Sequence, residues 1–480
     1  MREILLIVLP LVGALVAAAW PSDRTRPWLL PVVGGAHLGL AMWLLASPPV
    51  VSPGDWMGFD PLARAVLPVV SLLFFICALY AVAYLRIRRD RPNRVFVAML
   101  LTVIGLLSAG HQARHLGLLW VGTEAVTLAA VPLLHFNDTP RSIEATWKYL
   151  LVGGTGIALS LLGSLCLGYA SLHGGGGGDM TFVALTAQGT GLSLPWVRIA
   201  WVLLLVGYGT KMGLAPMHTW KPEAYGEAPG IVGAILAGGV TTVAFTAILR
   251  VRSVVGAAGA GAIADRTLLI IGLFSMLVAA VFLLATRNFK RMLGYSSVEH
   301  MGILSIGASL GAAGVWAALF HVWSNSLTKG ALFLSAANIR RATGSASVDD
   351  VRGAAVLTPR SAALFVAGMF AVTAAPPFGP FFSELRLIRV ALADGQGVAV
   401  AMILGCLLLA FFGISRVVFA IVDGRPRPSA KKGIGRLAEA PGTILPPLVF
   451  LGLSLWLGLF TPTLLQEVWS AAGLQLFPVP

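Results

Sequence analysis

Lys211 lies deep in an almost wholly apolar stretch, Trp196–Met217. An ionised lysine at mid-bilayer depth costs about 2.5–3.5 kcal/mol on insertion scales. The chain runs straight on into Met212-Gly213-Leu214-Ala215-Pro216, where Gly and Pro interrupt a regular helix. A buried amine beside a helix break is the arrangement of an ion path. Glu124, in LGLLWVGTEAVTLAAVPLL, is its natural partner. A carboxylate in such a stretch is costly unless paired or hydrated. An acid and an amine that pair, separate and exchange protons form a switchable relay element. Lys148, in EATWKYLLVGG, reads either as a lysine snorkelling to the interface or as a charge that biases the Glu124–Lys211 pair.

A second group follows in HVWSNSLTKGALF. His321, Asn325 and Lys329 are spaced i, i+4, i+8 and so share one helical face. Histidine titrates near neutral pH and passes protons through its two ring nitrogens, so this stripe reads as part of a hydrated path. His300, in YSSVEHMGILSIG, extends the stripe, while Glu299 beside it is expected at the interface. Glu384 follows a second break, Thr373-Ala374-Ala375-Pro376-Pro377-Phe378-Gly379-Pro380. An ionisable group next to unwound backbone can be hydrated where one on a regular helix in lipid cannot. Arg386 and Arg416 either pair with Glu384 or reach the interface.

The elements that must hold these residues are membrane spans. Of the 480 residues 57% are hydrophobic and only 11% charged, about half the charged fraction of a soluble domain. The polar stretches are too short for a nucleotide-binding module. The net charge of +14 reflects cations flanking apolar segments, which excludes a nucleic-acid partner and points to the lipid bilayer. Cys77, Cys166 and Cys406 lie far apart in apolar runs without metal or Fe–S spacing, so cofactors are expected to be absent from this chain. The N-terminal MREILLIVLPLVGALVAAAW reads as a first span rather than a signal peptide. The glycine run Gly174–Gly178 reads as a flexible spacer on the outer side.

Apolar segments long enough to span are expected near 4–20, 28–48, 61–85, 94–113, 115–136, 144–172, 196–220, 229–250, 265–286, 291–310, 314–339, 360–391, 397–422 and 443–470. The chain is thus read as an all-α integral membrane protein, one polytopic domain of about 14 transmembrane helices over 1–480. The odd-numbered loops and adjoining helix ends hold 22 of the 34 Lys and Arg, among them Lys221, Lys290, Arg427, Lys431, Lys432 and Arg436. The even-numbered loops and the N-terminal end hold 7. This asymmetry puts the odd loops in the cytoplasm and both termini on the periplasmic or outer side. The two breaks fall in spans 7 and 12. An odd offset of five makes the second copy inverted, the pattern that points to a transport site. Spans 1–3 then occupy 1–90, a first repeat about 94–250, a second about 265–422, and the last helix 443–470.

With these residues in place, GYGTKMGLAPMHTWKPEAYGEAP resembles the seventh-helix motif of the antiporter-like subunits of respiratory complex I and its relatives. RMLGYSSVEHMG and HVWSNSLTKGALFLSAANI resemble the tenth- and eleventh-helix motifs, and the details are most similar to hydrogenase-4 component F. The resemblance covers roughly 90–450. It implies fourteen helices with two inverted five-helix repeats and broken helices 7 and 12. It also implies proton translocation driven by a redox module elsewhere in the complex. Carried over by motif, Glu124, Lys148, Lys211, Lys329 with His321 before it, and Glu384 would form the proton relay. The implied partners are other membrane subunits and a peripheral redox module of the nickel–iron hydrogenase type, in the cell inner membrane.

The chain departs from that pattern. Many relatives carry a lysine or histidine in the eighth helix, where VGAILAGGVTTVAFTAILR offers only Thr241, Thr242 and Thr246 before its arginine. Asn325 stands where some relatives have a second histidine, and the loop Trp220–Tyr225 differs at positions 221, 223 and 225. The central relay then leans on water, with Thr242 as a candidate, or the chain has a modified coupling role. Three functional readings follow. The first is a proton-translocating subunit of a hydrogenase-4-like or complex I-like assembly. The second is a subunit of a multisubunit sodium/proton antiporter. The third is a membrane subunit for inorganic-carbon uptake. A purely structural anchor accounts for the spans, but not for two broken helices with ionisable residues beside them.

Overall fold

The computed structural model describes residues 2–425 and 439–477. Arg427, Lys431, Lys432 and Arg436, which enter the charge asymmetry above, lie outside the described residues. Within the described residues the chain is helical, with only isolated β-bridges such as Met57–Ala113 and His115–Thr181. The helices relevant to the site are α1 (Leu5–Ala19), α2 (Leu29–Ala46), α3 (Pro61–Ile87), α4 (Arg94–Gln112), α5 (Leu116–His135), α6 (Pro140–His173), α7 (Phe182–Gln188), α8 (Leu194–Met212), α9 (Trp220–Glu227), α10 (Gly230–Ile235) and α11 (Thr241–Val255). They continue as α12 (Gly261–Ala285), α13 (Phe289–Ser309), α14 (Gly311–Thr343), α15 (Ala354–Leu357), α16 (Pro359–Val372), α17 (Gly379–Ala393), α18 (Gly397–Val422), α19 (Pro441–Leu459) and α20 (Thr463–Leu476). Among the described residues, eight helical stretches are long and apolar enough to cross a membrane, with Leu5–Ala19 and Pro359–Val372 as shorter apolar helices.

Local chemistry sets the helix starts. Thr139 and Ser142 form a reciprocal capping box at α6, with Pro140 in the first turn, where its missing N–H costs nothing. Asn288 accepts from the Lys290 and Arg291 amides at the start of α13, and Asp60 accepts from Ala63 at α3. Two of the expected spans and one connection between spans depart from single regular helices. The eighth is interrupted by a π-turn, Leu236–Val240, between α10 and α11. The chain then passes from α11 to α12 without a loop, turning at Gly259 with φ 84°. The last divides into α19 and α20, because Pro462 caps a new helix.

The centre of the bundle is α14, buried along almost its whole length from Gly314 to Ala342. It packs against α3, α10, α13, α16, α17, α19 and α20. Beside it, α6 and α8 lie so close that a methyl group on Gly207 would overlap the Ser160 hydroxyl and the Gly156 carbonyl. Small residues that let backbones approach are the usual basis of helix association in lipid. The same occurs between α12 and α13, where a Cβ on Gly302 would stand 2.7 Å from the Gly272 carbonyl oxygen. Gly207→Val is therefore expected to keep α8 from seating on α6. Overpacking of this kind costs about 1–3 kcal/mol. The check is the amount of intact protein in membranes and its melting in detergent. Gly154→Ala on α6, with nothing within 4 Å of the added methyl, should leave both unchanged.

Candidate functional site

The break after α8 is built from its own unsatisfied ends. A helix leaves its last carbonyls without intrahelical donors. Gly213 takes the left-handed conformation, φ 85°, and returns its amide to Gly209 and Thr210. Trp220 Nε1 donates to the Thr210 carbonyl at 2.8 Å, and Lys221 Nζ donates to the Met212 carbonyl at 2.7 Å. The unwound stretch is pinned from the far side by Ser275, whose Oγ accepts from the Ala215 amide at 2.9 Å. These donors take the place of water at a depth where lipid could offer none. Trp220–Tyr225, read above as a loop, is the helix α9, since the segment must turn back to cap α8. Lys221, counted above among the topology-marking cations, is 0% exposed for the same reason. Lys290, counted with it, is also buried and donates to the Ala228 carbonyl.

Lys211 is buried on α8, where Tyr149 of α6 is its hydrogen-bond partner, with Nζ 3.4 Å from the hydroxyl and 4.7 Å from the ring centre. Gly153, one turn on, leaves room for the amine, since a Cβ there would lie 3.5 Å from Nζ. Glu124 of α5 lies within electrostatic reach of Lys211, but the two form no direct ion pair. Glu124 is half-buried, and its Oε2 has no hydrogen-bond partner among the described residues. Lys148 points away from this group and pairs with Glu144 at 2.6 Å on the exposed face of α6.

The second group gathers around α14. His321 Nε2 lies 2.9 Å from His300 Nδ1 on α13, and its Nδ1 lies 2.9 Å from Ser383 Oγ on α17. Lys329 Nζ donates to Ser296 Oγ at 2.7 Å, one turn of α13 before His300. Antiparallel α13 and α14 thus share a polar seam. Asn325, between His321 and Lys329, is buried with Oδ1 unpartnered among the described residues. Glu299 is also buried, against the expectation of an interfacial position, because α13 starts at Phe289 and carries it nearly three turns inward. Lys329 lies within electrostatic reach of both Lys221 and Glu299, and Glu299 within reach of Glu384.

Glu384 sits in the first turns of α17, after the break from Thr373 to Phe378, with both carboxylate oxygens buried and unpartnered among the described residues. One of its oxygens and one ring nitrogen each of His300 and His321 lie within 4.8 Å of one another. Neither arginine considered above pairs with it. Arg386 lies over the Trp316 ring, and Arg416 donates to the Thr286 carbonyl. Of the residues singled out from sequence, Lys211, His300, His321, Asn325, Lys329 and Glu384 are buried in or beside one interior seam. Glu124 borders it and Lys148 lies outside it. Lys221 and Glu299 were missed, and the signal that could have found Lys221 is its place just after the break.

Thr242 takes part in a separate cluster. Its Oγ1 lies 3.1 Å from Nε2 of His111, a buried histidine of α4 that the sequence reading passed over. At the Arg-rich end, a cavity of about 430 Å³ is lined by Tyr84, Arg88, Asn137, Lys290 and Arg340.

Comparison with known proteins places this geometry in context. The family described as NADH:quinone oxidoreductase/Mrp antiporter, TM matches residues 113–410. A hydrogenase-4 component F homolog of Methylacidiphilum infernorum is 31% identical over 88% of this chain and 90% of its own length. NADH-quinone oxidoreductase subunit N of Desulforudis audaxviator is 31% identical over 97% of both chains. Among solved structures, a chain of the membrane-bound sulfane sulfur reductase, an archaeal respiratory membrane complex, superposes with a TM-score of 0.87. That match has 21% identity and covers 98% of this chain and 97% of the other, a likeness of fold.

Proposed function

The chain belongs to the NADH:quinone oxidoreductase/Mrp antiporter family of membrane proteins, and on that premise we propose that it translocates protons for a redox-driven complex. It is a multi-pass, antiporter-like membrane subunit of the complex I and hydrogenase type. The observation that carries the proposal is the interior seam of ionisable side chains joining the two helix breaks. In this reading Glu124 and Lys211 form the switch, with Tyr149 between the amine and the exposed face of α6. Lys148 and Glu144 on that face would pass a neighbouring subunit's charge toward it. The proton then moves by way of Lys221 and Lys329 to Glu299, His300 and His321, and on to Glu384. Asn325 and Ser383 hold its path.

The mechanism needs no covalent step. Each amine or imidazole accepts a proton from one side and releases it to the next as neighbouring charges rise and fall. Burial makes these steps electrostatically strong, because the interior screens little. The finer features belong to the same proposal. These are fourteen spans with two inverted five-helix repeats, entry from the Arg-rich cytoplasmic side, outward-facing termini in an inner membrane, and a nickel–iron hydrogenase-like module as electron source.

The test is proton uptake by inside-out vesicles that hold the assembled complex. Adding an electron donor should acidify the lumen. A protonophore should abolish the signal, while a sodium ionophore or sodium-free buffer should leave it intact. Sodium uptake that survives the protonophore would overturn the reading in favour of sodium transport.

A further inference from the structure

We propose that a second polar route runs from the outer end of the bundle to its centre through Asp60, Arg250, His111 and the Thr242–Thr246 face of α11, with His111 as its proton-carrying group. The inference rests on the reading that this chain moves protons. Its observations are separate from the seam described above.

The route opens at a cavity of about 310 Å³, lined by Asp60, Arg114, Phe182, Arg250, Ser253 and Gln475. It lies at the end of the bundle assigned above to the outer side. Its floor is a buried ion pair. Arg250 donates to the two Asp60 carboxylate oxygens at 2.6 and 3.0 Å, and both side chains are 4% exposed. The same guanidinium donates at 3.1 Å to the carbonyl of His111, which lies immediately inside it. Gln112, next along α4, is fully buried, with both polar atoms of its side-chain amide unpartnered among the described residues.

His111 is 0% exposed, and both ring nitrogens meet hydroxyls of α11. Nε2 is 3.1 Å from Thr242 Oγ1 and Nδ1 is 3.3 Å from Thr246 Oγ1. Each hydroxyl is also placed to donate to a carbonyl one turn back, Thr242 to Gly239 and Thr246 to Val243. With both hydroxyl hydrogens so engaged, both ring nitrogens face lone pairs. That arrangement can accept an N–H from either ring nitrogen. When the ring is neutral, one threonine turns its hydrogen to the bare nitrogen, because a hydroxyl can donate or accept. A proton can therefore arrive at one nitrogen and leave from the other, with the hydroxyls resetting, and no atom need travel far.

The inner end meets α14. The π-turn Leu236–Val240 departs from the regular helical ladder, and the Gly238 carbonyl accepts from Ser326 Oγ at 2.9 Å. Ser326 neighbours Asn325, whose Oδ1 is unpartnered. The run from Gly230 to Leu249 contains no ionisable residue. The imidazole that serves this helix is supplied across the α4–α11 interface.

The test compares His111→Gln with His111→Leu in the assembled complex in inside-out vesicles, with Lys211→Met in parallel. Glutamine keeps hydrogen bonds to the threonines but cannot titrate. Both His111 variants are expected to lower proton uptake at least tenfold. His111→Gln that assembles and pumps at the parent rate overturns the route, even if His111→Leu fails to fold. Loss of uptake in assembled His111→Gln supports it. Lys211→Met decides the underlying reading separately.

Discussion

Lys211→Met is expected to abolish proton translocation while leaving the assembled complex in the membrane. Methionine matches the length and flexibility of the lysine stem without the amine. The packing between α6 and α8 rests on Gly156, Gly207 and their neighbours, and Met at 211 leaves those contacts alone. Removing the amine also removes the cost of holding a polar group at this depth, so stability should hold or rise. Uptake should fall at least tenfold, about 1.4 kcal/mol or more on the barrier. The measurements are donor-driven acidification of inside-out vesicles and the complex on a native gel. Unaltered pumping by the assembled variant would sink the assigned role.

The largest expected loss of stability comes from Asp60→Ala. Breaking a buried ion pair by removing one partner costs about 3–5 kcal/mol, because the other charge stays buried. Asp60 also caps α3 through the Ala63 amide at 2.9 Å, a contact of the kind worth about 1 kcal/mol. The variant should melt well below the parent in detergent. Asp60→Ala combined with Arg250→Leu should recover much of the loss, since the ion-pair partner no longer stays buried and unpaired. Burial alone would raise the Asp60 carboxyl, but the Arg250 guanidinium, the Ala63 amide and Arg114 together hold it below the usual carboxylate range. A group whose folded value is depressed stabilises fully above its unfolded value, about 3.9 for Asp. This contribution should be constant at neutral pH and fade only as acid carries the pH down through the lower folded value.

The helices were legible because long apolar runs in lipid leave few alternatives, and both breaks were visible as Gly and Pro clusters at spanning depth. Lys211, His321, Lys329 and Glu384 stood out for the same reason, as ionisable groups in apolar surroundings. What escaped notice was chemistry whose local context is polar or whose partners are remote. Lys221 is followed by Pro222 and Glu223 and looks like loop, yet it caps a carbonyl nine residues back. His111 stands beside Gln112 and Arg114 near a helix end and looks interfacial. Its threonine partners lie more than 130 residues away. The Asp60–Arg250 pair spans 190 residues, and no periodicity in the sequence announces it.

The central position of α14 has a consequence for biosynthesis. Its flanks are closed by both ends of the chain. Trp323 donates to the Ala65 carbonyl, Tyr80 to Asn338, and Asn338 in turn to the Thr443 carbonyl. A ribosome delivers α3 long before α14, and α19 only after it. Until those last helices emerge, the side of α14 that they cover has no protein neighbour. The nascent chain must therefore shelter α14 from lipid by other means, and only the C-terminal helices complete its enclosure.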